Sequence, residues 1–161
     1  MKFRIGIGYD VHRLEKGPDF YLGGIKIIHS KGAVGHSDAD TLIHAICDAL
    51  LGAANAGDIG IHFPDTSKEF EGIDSKKLLS NVIEIISKKG YSIENVDSII
   101  ILQKPKISEY IPQMKKILAA TMKIDIDDIS VKATTTEKLG YIGREEGIAA
   151  QAVVLLSKNN A

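Results

Sequence analysis

The order of apolar and polar positions divides the chain into extended and helical stretches. Phe3 to Asp10 alternates, with Phe3, Ile5, Ile7 and Tyr9 on one side and Arg4, Gly6, Gly8 and Asp10 on the other, which predicts a strand. Asp19 to Ile28 gives two short apolar runs about Gly23-Gly24 and predicts a hairpin. From His36 the spacing changes to about 100° per residue. Leu42, Ile43, Ala45, Ile46, Ala49, Leu50 and Ala53 then share a broad apolar face, while Asp40, His44 and Asp48 lie four apart on the opposite face. Ser37 or Asp38 is the expected cap of this helix, and Asn55 and Gly57 its expected end.

Residues 57–66 contain glycines, a proline and two acids without a period, and read as a loop. Asp74 to Lys89 predicts a second amphipathic helix, with Leu78, Leu79, Val82, Ile85 and Ile86 inward, Asp74 as cap and Gly90 as stop. Val96 to Leu102 predicts a buried strand that ends before Pro105, and about Ser108 to Lys123 a third helix with Ile111, Met114, Ile117, Leu118 and Met122 inward. Ile129 to Ala133 and Ile148 to Leu156 complete the strands. This order predicts an α/β chain of the α+β type. It would be a single-domain sandwich, 1-161, of one mixed β-sheet with about three helices mainly on one face. Strands 98–102 and 148–156 are apolar on both faces, so a sheet covered on one side would leave an apolar patch that soluble monomers avoid. The pattern therefore implies self-association.

Composition narrows the function classes. A hydrophobic fraction of 44% with 25% charged residues is that of an ordinary soluble globular domain. The net charge of −1 supplies no general field for nucleic acid or a membrane surface, and no apolar run reaches spanning length. Met1-Lys2-Phe3-Arg4-Ile5 leads straight into strand-like sequence, so no signal or transit peptide is expected. Cys47 is the single cysteine, which excludes an internal disulfide and fits a cytoplasmic location; in its helix it reads as a small core residue.

Several short patterns carry chemistry. Gly6-x-Gly8 lacks the third glycine of a dinucleotide fingerprint, because Val11 stands there. In Asp10-x-His12 both side chains point the same way from an extended chain and can share a metal ion, or simply end a strand at the surface. His44, with a carboxylate one turn before and one after, suits an oriented metal ligand or a solvated polar face. His36, Ser37 and the amides of the helix start could meet a phosphate, or the segment could be a plain cap. Asp58 and Asp65 could hold hydroxyls or a metal, or serve as turn formers. Thr134-Thr135-Thr136-Glu137-Lys138 at a strand end suits phosphates and a hard counter-cation, or is a Thr-rich strand end with a surface ion pair.

These segments occur in a telling order. Gly-Tyr-Asp-Val-His (8–12), Gly-His-Ser-Asp-Ala-Asp (35–40) with His44, Gly-Asp-Ile-Gly with Phe-Pro-Asp-Thr (57–66), Pro-Lys-Ile (105–107) and Lys-Ala-Thr-Thr-Thr-Glu-Lys-Leu-Gly (132–140) together resemble the 2-C-methyl-D-erythritol 2,4-cyclodiphosphate synthase family across essentially the whole chain. The resemblance implies a phosphorus–oxygen lyase that closes 4-diphosphocytidyl-2-C-methyl-D-erythritol 2-phosphate into a cyclic diphosphate and releases CMP. By position it implies one zinc ion per subunit on Asp10, His12 and His44, with Asp10 and His12 also touching substrate. His36 and Thr135 match residues that stabilise the reacting phosphates, and Ser37 matches a substrate contact. Glu137 matches the acid that places a second cation, magnesium or manganese. Asp58, Ile59 and Gly60 match the ribose-holding part; Phe63, Pro64, Asp65, Thr66 and Ser67 match the loop that closes over the methylerythritol. Leu102, Gln103, Lys104, Pro105, Lys106, Ile107 and Ser108 match the cytidine pocket, while Thr134, Thr136, Tyr141 and Arg144 match further contacts. The resemblance also implies a homotrimer with active sites between subunits. Ile7, Ser67 and Tyr141 depart from the family's frequent residues, but no metal ligand is lost. Three protein ligands would leave zinc one open position, as catalytic sites do, and residues 60–67 are the candidate lid.

Overall fold

Strand β1 (Phe3–Lys16) is the axis of the fold, and the computed structural model describes it within residues 2–158. Met1 and residues 159–161 of the expected 1-161 domain lie outside the described residues. The remaining elements follow as β2 (Phe20–Leu22), β3 (Ile25–Ile27), β4 (Lys31–Val34), α1 (Thr41–Ala53), α2 (Ile59–His62), α3 (Ser75–Lys88), β5 (Tyr91–Ile101), α4 (Ile111–Met122), β6 (Ile129–Thr134), α5 (Gly140–Gly143) and β7 (Gly147–Lys158). The main sheet runs β4-β1-β7-β5-β6, and β2-β3 forms a separate ribbon. Only the β5–β6 pair is parallel, so the sheet is mixed.

The strand register explains which side is covered. Gly8 pairs with Ala152, Ala152 with Ser98 and Ser98 with Val131, a row of buried residues facing the helices. The adjacent row, from Ile7 through Val153 to Asp97, faces away. The alternation in β1 thus takes an unexpected sense: the glycines face the helical layer, while Phe3, Ile5, Ile7, Tyr9 and Val11 are exposed. A Cβ at Gly8 would lie 1.9 Å from the Ala45 carbonyl oxygen, and one at Gly6 would lie 1.9 Å from that of Ala49. Only glycine permits this approach, and alanines at 45, 49 and 53 keep the facing side of α1 equally shallow.

The expected three long helices are present as α1, α3 and α4. Two one-turn helices, α2 and α5, raise the number to five; four residues are too few to display a helical period in sequence. The segment read as a loop at 57–66 therefore contains a helical turn. The cap of α1 is Asp40, and not Ser37 or Asp38. Ala39 adopts a φ of 56°, while Ser37 Oγ and Asp38 Oδ1 accept from the amides of Ala39 and Asp40, so these residues form a turn that delays the helix. Strand β4 is too short to be read from a pattern, and β5 begins at Tyr91 because its polar start pairs with β7 across an irregularity at Ile93/Asn95. Among the described residues, no helix is long and apolar enough to cross a membrane.

The glycine contact sets a stability test. Gly8→Ala should destabilise the protein by about 1–3 kcal/mol or more through overpacking. Gly52→Ala, in α1 with open space around the added methyl, should stabilise it by about 0.5–1 kcal/mol. Urea unfolding midpoints should move in opposite directions.

Candidate metal centre and binding cavity

Asp10 and His12 leave β1 on the same face as the glycines and meet His44 from the first turns of α1. His12 Nδ1 lies 2.9 Å from Asp10 Oδ2, and His44 Nδ1 lies 3.2 Å from the same oxygen. One potential donor atom from each of the three residues lies within 4.8 Å of the others. The two imidazole rings are 5.2 Å apart at their centroids. Burial alone would raise the Asp10 carboxyl, but hydrogen bonds from both imidazoles hold it below its ordinary value. Burial works against a charged His44, yet the Asp10 carboxylate raises it above the usual histidine range. A convergent set of two nitrogens and one carboxylate fits a divalent metal ion.

This cluster opens into a cavity of about 490 Å³. Of the expected site residues, Asp10, His12, His36, Ser37, His44, Ile59, Gly60, Phe63, Pro64 and Asp65 line it. Gly35, from the 35–40 motif, also lines it, as do Val34, Phe70 and Leu78, which carried no readable signal, since each looks like an ordinary strand, loop or core residue. His36 Nε2 lies 2.8 Å from the Ser67 carbonyl, which ties the lid segment to the floor. Asp48 Oδ1 accepts the Ile59 amide at 2.8 Å, Asp58 Oδ1 accepts the Ile61 amide at 3.0 Å, and Phe63 meets Phe70 edge-on. The expected lid is thus anchored at several points, with Thr66 and Asp65 left exposed. One of the helix-start amides, that of Ile43, is already taken. Asp40 itself occupies that position: it is fully buried and accepts from Ile43, Gly23 and Gly24 at 3.0, 2.9 and 2.7 Å. Asp40 is therefore no part of a solvated face; it clamps the β2–β3 turn, where both glycines have positive φ, onto α1.

The remaining expected residues gather elsewhere. Leu102 N–H donates to the Thr134 carbonyl and Lys138 N–H donates to Gln103 Oε1, which sets segment 102–108 beside 134–138. None of these residues lines the metal cavity of the same chain. Leu102 and Ile107 pack their hydrophobic side chains into the core and leave the backbone and Gln103, Lys104, Pro105, Lys106 and Ser108 nearer the surface. Glu137 and Lys138 both have positive φ, and this turn brings Glu137 Oε1 to 3.3 Å from Thr135 Oγ1. Thr136 Oγ1 donates to the Leu139 carbonyl and Thr134 Oγ1 to that of Thr135. Tyr141 meets Tyr9 hydroxyl to hydroxyl at 3.1 Å, and Arg144 forks onto Glu146. Cys47 is buried, and its thiol is pushed up by burial and then by Asp48, so it is a core residue as expected.

Comparison with known proteins agrees with this architecture over its length. A family model described as the YgbB family matches residues 3–157. A curated 2-C-methyl-D-erythritol 2,4-cyclodiphosphate synthase of Phocaeicola vulgatus is 60% identical over 158 residues, covering 98% of this chain and 99% of that protein. Among solved structures, IspF of Plasmodium falciparum in complex with CDP superposes with a TM-score of 0.85 at 38% identity, covering 98% of this chain and 97% of that one. The bifunctional IspDF of Campylobacter jejuni gives a TM-score of 0.95 at 38% identity; it covers 99% of this chain, which spans 43% of that longer protein.

Asp40 and His44 are one turn apart on α1 and differ in what their loss should do. Asp40→Ala leaves three buried amides without an acceptor and should lower stability by about 2–4 kcal/mol, while the folded fraction keeps its metal uptake. Denaturant titration with and without added metal checks both halves.

Proposed function

The chain belongs to the YgbB family, the 2-C-methyl-D-erythritol 2,4-cyclodiphosphate synthases, and on that premise we propose how its residues carry out the family's reaction. It is a lyase-type enzyme with a role in isoprenoid biosynthesis. The proposed substrate is 4-diphosphocytidyl-2-C-methyl-D-erythritol 2-phosphate. An oxygen of its 2-phosphate attacks the β-phosphorus; the bond from that phosphorus to the bridging oxygen breaks, and CMP leaves with the electron pair. The convergence of Asp10, His12 and His44 on one side of a cavity able to hold a phosphorylated sugar is the observation that carries this reading.

Zinc is the proposed ion on these three residues, where it would polarise a phosphate oxygen at its remaining position. The protein's own groups do the rest. Ser37 donates to a phosphate oxygen, and His36 and Thr135 stabilise the reacting phosphates. Glu137 helps hold a magnesium or manganese ion on the diphosphate. Asp58 and Gly60 receive the ribose, segment 102–108 with Lys106 receives the cytosine end, and Arg144 adds a contact beyond the diphosphate. Residues 60–67 cover the methylerythritol and exclude water, which would otherwise hydrolyse the substrate. No protein nucleophile is needed, because the attacking phosphate is tethered to its target; effective molarities of about 10⁵ M or more are reached in such cases.

The proposed assembly is a homotrimer with metal residues from one subunit and cytidine residues from the next. Two observations support it. The sheet face away from the helices exposes Ile5 at 74%, Ile7 at 64% and Val153 at 42%, more apolar surface than a monomer tolerates. The site residues also fall into two groups that one chain does not bring to a common cavity.

Phosphorus NMR of the protein with the cytidylated substrate should show a cyclic diphosphate and CMP; a linear monophosphate would make the protein a hydrolase instead. Thr135→Ala should keep fold and zinc content and lose about 100-fold or more in turnover. Shared sites make a further claim. His44→Ala and Thr135→Ala subunits, each inactive, should recover about a quarter of native activity when unfolded and refolded together in equal amounts, as random trimers restore one intact pairing in four. No recovery would place the whole site within one subunit.

A further inference from the structure

Ser75 opens α3, is fully buried, and belongs to none of the motifs above. Its Oγ lies 3.0 Å from His44 Nε2. Its hydroxyl donates to Asp38 Oδ1, and its backbone N–H donates to Asp38 Oδ2 at 3.0 Å. Asp38 Oδ1 also accepts the Asp40 amide at 3.2 Å. The protons over these groups have one consistent arrangement. An ionised carboxylate only accepts, so the Ser75 proton lies toward Asp38 and a lone pair of Ser75 Oγ faces the imidazole. His44 Nε2 must then carry hydrogen, because a bare Nε2 would set two lone pairs against each other at 3.0 Å inside the protein; Nδ1 faces Asp10 Oδ2 at 3.2 Å, and its proton is the one a bound ion would displace. Ser37 Oγ, 3.1 Å from the same nitrogen, also accepts the Ala39 amide at 3.2 Å. With its lone pairs so engaged, its own proton is left to the cavity that Ser37 lines.

We propose that Asp38 and Ser75 are a positioning pair that holds His44 in its Nε2–H form, presents Nδ1 as the metal donor, and leaves the Ser37 hydroxyl to donate to an anionic substrate oxygen. This rests on the metal reading of Asp10, His12 and His44. The pair acts through His44 and touches neither metal nor substrate. It also couples α3 to the site, because the first residue of that helix supplies the acceptor that sets the ligand's tautomer.

The full chain and its Ser75→Ala, Ser75→Thr and Asp38→Asn variants are titrated with zinc against a chromophoric chelator. Long-range ¹H–¹⁵N spectra report which His44 nitrogen is protonated in the zinc-loaded native chain. Ser75→Ala retains the backbone bond to Asp38, should fold, and should bind zinc about 10–100-fold more weakly. Ser75→Thr, which keeps the hydroxyl, should return affinity to within about tenfold of native, showing that the hydroxyl and not packing is at issue. Asp38→Asn places an amide donor against Ser75, turns the serine proton toward Nε2, and should lose at least as much affinity as Ser75→Ala. Native affinity in Ser75→Ala, or a protonated Nδ1 in the native chain, overturns the proposal alone. A native chain that takes up no zinc overturns the metal reading and the proposal together.

Discussion

The close seating of α1 on β1 is the contact on which the chemistry depends. Along the strand, Gly6 lies against Ala49 and Ala53, Gly8 against Ala45 and Ala49, Asp10 against His44, and His12 against Thr41. The two glycines bring helix and strand together, and the next two residues on the same face belong to the candidate metal site. Any side chain at Gly6 or Gly8 would lift the helix and carry His44 away from Asp10 and His12, whose hydrogen-bonding distances allow little movement. Stability and site geometry are therefore set by one contact. The alternating glycines that looked like a failed dinucleotide motif are a packing device.

The same contact shows what sequence could and could not tell. Long periodic stretches were readable: α1, α3, α4 and the strands β5, β6 and β7 lie where hydrophobic spacing puts them, give or take a few residues. The hairpin at Gly23-Gly24 was readable because a two-residue turn with positive φ demands such residues. The three metal donors were readable as two fragments, Asp10-x-His12 and His44, and family resemblance joined them. The direction in which β1 faces was not readable, because burying glycine and exposing isoleucine inverts the usual rule; it becomes intelligible once a second apolar surface is assumed. Asp40 was misread for a related reason. Its spacing put it on a polar face, but two amides from a ribbon distant in sequence and one from its own helix supply the polarity. Ser75 had no sequence signal, since a serine after a capping aspartate is ordinary.

The outer face of the sheet links fold to function in a second way. Tyr9, on that face, meets Tyr141 of α5, and the same turn region carries Arg144 and Glu146. Thr135 and Glu137 leave β6 at the far edge of the sheet from β4. The chain thus presents two separate groups of proposed site residues and an exposed apolar sheet face. Association through that surface would bury it and complete the site in one event, so assembly and activity would share a driving force.

The proposed site for a multiply phosphorylated substrate lies among several acids, and this calls for an electrostatic account. Asp10 and Asp65 line the cavity, and Asp38, Asp40, Asp48 and Asp58 lie in the segments around it. Left bare, they would repel an anion. Four of them have their charge met by backbone amides: Asp38 by Asp40 and Ser75, Asp40 by Gly23, Gly24 and Ile43, Asp48 by Ile59, and Asp58 by Ile61. Several of these amides belong to helix starts, where the partial positive charge of the helix adds to the compensation. Asp10 alone faces the two imidazoles, and a divalent ion shared among the three would leave that set net positive. Those four acids thus shape the surroundings while their charges stay paired, exposed Asp65 points to solvent-accessible space, and an ion on Asp10, His12 and His44 would concentrate positive charge where the proposed reaction needs a phosphate held.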